Sequence, residues 1–141
     1  MATRRGIKRK KGERYKHKTI RIDGLKFDSQ KEYDRYLFLK KAEDDGLISN
    51  LRTQVKYELI PSVTEDYVVH LKTKDKIKTR TLQLAITWTA DFVYIKDGEE
   101  VIEDVKPRKD LLSDRFVIKE KLFFWRYNKR IRLVYKDDEP V

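Results

Sequence analysis

TADFVYIKDGEEVIEDVKP, residues 89–107, holds two strand signals around one turn. Two apolar runs, rich in β-branched and aromatic residues, flank a turn at 96–100. They predict strands ending near Ile95 and starting at Val101, paired as an antiparallel hairpin. Side chains alternate along 101–106. Ile102, Asp104 and Lys106 therefore share one face, and Val101, Glu103 and Val105 the other. Pro107 breaks the strand. An acid at Asp91, inside an apolar strand, is costly unless it is paired, metal-bound or on a solvated face. The hairpin can bring it beside Asp104, and two adjacent carboxylates repel unless a cation lies between them.

Upstream, TIRIDGLKF (19–27) carries Asp23-Gly24 between short apolar runs, a hairpin signal. Ser29 followed by Glu32 is a capping box, and it starts a helix from about Gln30 to Asp44 or Asp45 that stops at Gly46. From Asn50 the period becomes two: Leu51, Thr53, Val55, Tyr57 and Leu59 share a face until Pro61. Strands are predicted over 66–73 and 81–95, joined by the basic loop TKDKIKT. Lys72, Lys74, Lys76, Lys78 and Arg80 alternate there, giving either a phosphate-contacting face or a solvated hairpin tip. Ser113 caps a second helix, about Asp114 to Tyr127. Its Phe116, Leu122, Phe123, Phe124 and Trp125 are expected to pack on a sheet. Ile131–Tyr135 is the last strand. The order predicts an α/β fold: a mixed central sheet flanked by two helices, with an N-terminal hairpin and an extended β-ribbon.

The charge is uneven. The chain has 34 basic and 24 acidic residues, a net +10. Most of the excess lies in residues 1–18, where Glu13 is the only acid. We therefore divide the chain into a basic flexible arm (1–18), one domain (19–136) and an acidic tail (137–141). Arg4, Arg5, Lys8, Arg9, Lys10 and Lys11 suit a polyanion through phosphate contacts and counterion release; a solvated end or contact with anionic lipid are the other readings. No apolar run is long enough to span a membrane, and no secretion signal follows the N-terminal basic residues. Without cysteine there is neither a disulfide framework nor a thiolate metal site. An intracellular location is expected. His17 and His70 sit in no catalytic setting.

Asp104 and Lys106 on one strand face are a combination that metal-dependent phosphodiester hydrolysis can use. A carboxylate holds a hard cation such as Mg²⁺. An ammonium orients or deprotonates water and offsets charge building on the phosphate. Glu32 lies on the wheel with Tyr36, Leu39 and Lys40, a partly inward face, so capping and a site role can coexist.

The segments IDGLKFDSQKEYDRYLFLKKAEDDGLISNL (22–51), QVKYELIP (54–61), TADFVYIKDGEEVIEDVKPRK (89–109) and FVIKEKLFFWRY (116–127) together resemble the PD-(D/E)XK nuclease superfamily. More closely, they resemble a family of small phage and prophage proteins of unknown function grouped with it. The opening helix motif is also similar to that of the transposon subunit that nicks transposon ends. The resemblance implies an αβββαβ restriction-endonuclease-like core. It places the catalytic cluster on Glu32, Asp91, Asp104 and Lys106, with Glu32, Asp91 and Asp104 as metal ligands. Glu103 is the substitute for Asp104 if a bulge exchanges the faces, and Gln54 is a supporting residue. The implied cofactor is Mg²⁺, with Mn²⁺ able to replace it. The implied activity is endonucleolytic cleavage of branched or structured DNA, as in the Holliday-junction resolvases, by a homodimer in the cytoplasm of a bacterial host. Lys74, Lys76, Lys78 and Arg80 would join the arm in gripping DNA. A DNA-end-nicking subunit acting with a partner, and a non-catalytic nucleic-acid-binding protein, are the alternatives.

Overall fold

A computed structural model describes residues 18–110 and 112–141. The arm residues Arg4, Arg5, Lys8, Arg9, Lys10 and Lys11 lie outside the described residues.

β1 (Ile20–Ile22) and β2 (Leu25–Phe27) form the first hairpin. Asp23 and Gly24 both take positive φ, 51° and 79°, as a type I′ turn requires. α1 (Gln30–Asp44) is capped by Ser29, whose Oγ accepts from the Glu32 amide at 3.2 Å. β3 (Ser49–Ile60), β4 (Val63–His70), β5 (Asp75–Gln83), β6 (Ile86–Lys96) and β7 (Glu99–Val105) follow. Then come α2 (Asp114–Tyr127), capped by Ser113, and β8 (Arg132–Val134).

The main sheet has the order β3-β6-β7-β8; β8 runs parallel to β7 and the other pairs are antiparallel. Among the described residues, the fold is mixed α/β with two helices. Leu39 and Ala42 of α1 pack with Phe27, Phe92, Tyr94 and Val134. Phe116 and Phe123 of α2 pack with Leu59, Trp88, Val93 and Ile102. Ile102 belongs to the α2 cluster and Val105 to the α1 cluster. Their opposite parity on β7 puts the helices on opposite faces.

The strand boundaries differ from expectation in the middle of the chain. Of residues 73–79, only Thr73 and Lys74 lie outside a strand: the turn lies between Leu71 and Lys74, and residues 75–79 belong to β5. Ile77, Thr79 and Thr81 are β-formers, and alternation keeps the lysines to one side of the strand. Nor is 81–95 one strand. The β3–β6 ladder ends at Ile60↔Ile86 and the β4–β5 ladder begins at Val63↔Gln83. Pro61, which has no amide hydrogen to donate, lies in the gap.

α2 buries less than its apolar sequence suggests. Phe116 and Phe123 are core, but Trp125 is 80% exposed and Phe124 42%. One helix stripe faces a sheet whatever the other positions hold. The expected acidic tail is docked through its backbone: Arg35 donates to the carbonyl of Asp137 at 3.1 Å and to that of Glu139, and Arg132 donates to that of Pro140. Among the described residues, no helix is long and apolar enough to cross a membrane.

Candidate active site

β6 and β7 build the centre of the site. Their register, Phe92↔Glu103 and Val93↔Ile102, continues to set Asp91 opposite Asp104. Opposed residues of an antiparallel pair point to the same side. The charge of Asp104 reaches Asp91 and disfavours its ionisation. Asp91 Oδ2 also accepts the Val105 amide at 2.7 Å, which fixes its direction. Lys106 follows on the same face as Asp104. Its ammonium forms an ion pair with Asp104 Oδ2 and lies 3.9 Å over the Phe116 ring. That ring holds the cation close to the two acids.

Glu32 approaches from the first turn of α1. Its carboxylate accepts the Asp28 amide at 2.9 Å. A capping box predicts a return to Ser29; the side chain reaches one residue further back. Lys31, which no motif in the sequence singles out, donates to the carbonyls of Lys106 at 3.1 Å and Pro107 at 3.3 Å. It ties the start of α1 to the end of β7, and so brings Glu32 to the aspartates.

The electrostatics record this crowding. Asp91 is pushed up to about 8, first by burial and then by the charges of Asp104 and Glu32. Burial raises Asp104 as well, against the pull of Lys106. Glu32 is raised by burial, with smaller contributions from Asp28 and Asp104, while its hydrogen bond from the Asp28 amide opposes the shift. Three acids thus share one low-dielectric corner, facing one ammonium.

Gln54 lies directly across the β3–β6 ladder from Asp91, between the pairs Thr53↔Phe92 and Val55↔Ala90. It holds a left-handed backbone, φ 52°, which costs a non-glycine residue of order 1 kcal/mol or more. The packing changes sides here. Leu51 joins the α1 cluster whereas Val55 and Tyr57 join the α2 cluster; Phe92 joins the first and Ala90 the second. The switch falls at Asp91, the acid of this otherwise apolar strand. The Gln54 side chain is exposed.

Glu103, the alternative to Asp104, faces α1. Arg35 binds it through two nitrogens, at 3.0 and 2.7 Å, the Tyr94 hydroxyl donates at 2.6 Å, and Arg132 lies at 3.3 Å. Both its oxygens are engaged, away from the Asp91–Asp104 pair. Arg35 is not among the residues that the sequence motifs pick out. One signal exists: it precedes Leu39 and Ala42 by one and two turns, on the inward stripe of α1.

Among the described residues, no group of three or more His, Cys, Asp or Glu side chains is already gathered to hold a metal ion. Glu32 is turned to the Asp28 amide, and Lys106 lies against Asp104. The donor set nonetheless fits a hard divalent cation. It is all oxygen, its members repel one another, and a single ammonium, paired to Asp104, offsets them.

The raised acids predict a pH dependence of stability. Asp91 titrates near 8 in the folded chain and near 4 when unfolded, so the folded state holds its proton more tightly. Its contribution is fully present below about pH 4 and is lost as pH rises through about 8. With a chelator present, Tm should fall between about pH 5.5 and 8.5. Mg²⁺ or Mn²⁺ should reduce that fall by binding the ionised pair. Thermal denaturation across pH checks it; a Tm that rises over this range contradicts the assigned burial.

The chain matches, over residues 12–137, the family described as "Protein of unknown function (DUF1064)". No curated protein and no solved structure matches it.

Proposed function

The chain belongs to the DUF1064 family, whose function is unknown; from the geometry of its carboxylates we propose that it is a metal-dependent endodeoxyribonuclease of the PD-(D/E)XK type, acting on branched or structured DNA in phage DNA processing. The observation that carries this reading is the meeting of Asp91 and Asp104 across the β6–β7 hairpin, with Glu32 and Lys106 beside them. Mutual repulsion of buried acids destabilises a fold, and groups so perturbed cluster at binding and catalytic sites. The succession α1, β3, β6, β7, α2, β8, with β4 and β5 inserted, supports the αβββαβ core.

Asp91 and Asp104 would hold Mg²⁺ or Mn²⁺, with Glu32 completing or supporting the set. Such a cation supplies polarisation of the phosphate and a lowered pKa for water. The chain's own residues do the rest. The Val105 amide and the Phe92↔Glu103 rung fix the two aspartates against rotation. Lys106 positions the attacking water and offsets negative charge as the phosphorus–oxygen bond breaks. Symmetric cuts in a four-way junction call for two copies, so we read the working form as a homodimer.

Cleavage of a labelled four-way junction with Mg²⁺ or Mn²⁺ tests the reading. Lys106→Ala should lower the cleavage rate by roughly a hundredfold or more while leaving DNA binding near wild type. Unchanged cleavage in that variant sinks the assigned role of Lys106. A wild type that binds DNA but never cuts it with either metal sinks the nuclease reading.

A further inference from the structure

We propose that the β4–β5 ribbon is a duplex-DNA arm, gripping the phosphate backbone away from the carboxylates through Lys74, Lys76 and Lys78. The choice of DNA among polyanions rests on the nuclease reading; the ribbon's affinity for a polyanion rests on its own charge arrangement.

The ribbon stands apart from the body. No residue of β4 or β5 belongs to either core cluster, and all nine residues of β5 are exposed. An isolated two-stranded ribbon is at best marginally stable in water, so one kept free of the core is placed for contact with something else. It prolongs the β3–β6 ladder beyond the Pro61 gap, and β6 carries Asp91. It is therefore mechanically continuous with the site.

Its charges are sorted. Each acid has a partner within the ribbon. Arg80 binds Glu65 through Nε at 2.6 Å, Thr79 donates to Asp66 at 2.6 Å, and His70 meets Asp75 at 2.8 Å. Lys72, Lys74, Lys76 and Lys78 have no ion-pair partner among the described residues, though acids lie on adjacent rungs. The register sets Lys76 opposite Val69 and Lys78 opposite Tyr67. One face thus presents Tyr67, Lys76 and Lys78, and the opposite face presents Val68, Ile77 and Thr79. A ribbon whose acids are internally satisfied and whose lysines are free is complementary to a polyanion. Its width suits a duplex: the major groove admits a two-stranded ribbon, and the lysines, all on β5 or at its start, meet phosphates along one wall.

The full chain should be titrated against fluorescein-labelled duplex DNA by anisotropy, with Ca²⁺ replacing Mg²⁺. Lys74→Gln/Lys76→Gln/Lys78→Gln should weaken binding roughly tenfold or more near physiological salt. It should also reduce the slope of log K against log [salt] by about 2–3, near 0.9 for each phosphate that is no longer neutralised. A matched triple, Lys26→Gln/Lys40→Gln/Lys41→Gln, on β2 and α1, is the control, and circular dichroism verifies folding of both. An equal weakening in the control, or none in the ribbon variant, overturns the inference. So does a ribbon variant that no longer binds phosphatidylserine vesicles but still binds the duplex. The two readings fail separately. Wild-type cleavage with an unaffected ribbon variant sinks the arm alone; ribbon-dependent binding by a wild type that never cuts sinks the nuclease alone.

Discussion

Glu103→Ala is expected to lower the unfolding free energy by about 3–5 kcal/mol, a fall in Tm of roughly 10–20 °C for a domain of this size. Glu103 and Arg35 are both 0% exposed. The guanidinium has three further engagements: the backbone carbonyls of Asp137 and Glu139, and the face of the Phe38 ring. Without the carboxylate, a full positive charge stays buried with only backbone dipoles and an aromatic face to offset it. The Tyr94 hydroxyl loses its acceptor as well. Removing both charges should hurt less than removing one, so Arg35→Met/Glu103→Leu should recover much of the stability. Thermal and urea denaturation of these variants reads this directly. A Glu103→Ala change under about 1 kcal/mol would mean that the pair is hydrated. The same residue separates a structural from a catalytic role. Glu103→Gln, assayed where it remains folded, should still cut DNA, whereas Asp104→Asn should not.

Asp91→Asn should move stability and activity in opposite directions. At pH 8 and without metal, the substitution removes a charge that burial and the neighbouring Asp104 and Glu32 all disfavour. The Asn oxygen can still accept the Val105 amide, so the native direction of the side chain is kept. Tm at pH 8 should therefore rise, by the equivalent of about 1–3 kcal/mol. At pH 5, just above the unfolded value near 4, where most of that penalty has not yet developed, the rise in Tm should be much smaller. Cleavage should fall roughly a thousandfold or more, about 4 kcal/mol of transition-state stabilisation, because a neutral amide holds a divalent cation weakly. An acid kept only for structure would behave otherwise: neutralising it would destabilise the fold. Lower stability at pH 8 with intact cleavage would remove Asp91 from the site.

Local signals are legible wherever neighbouring residues alone set the conformation. Asp23-Gly24 and its turn, Ser29 and Gly46 around α1, and Ser113 before α2 all act within a few residues, and the elements form where those signals lie. The strand alternation that separates Glu103 from Asp104 is equally local. The limits of β4 and β5 depart from expectation because strand limits depend on a partner: the β3–β6 ladder closes where Pro61, on the other strand, lacks a donor.

Residue order alone sets the two helices, their caps, and the sharing of one strand face by Asp104 and Lys106, because backbone geometry and side-chain period are properties of adjacent residues. Tertiary structure alone decided which face of β7 meets α1, and hence that Glu103 is satisfied by Arg35, 68 residues away. It also decided that Lys31 ties α1 to the end of β7, so that Glu32, Asp91 and Asp104 crowd together. Burial and the charge of a distant neighbour fix those outcomes, and neither is carried by the order of residues along one strand.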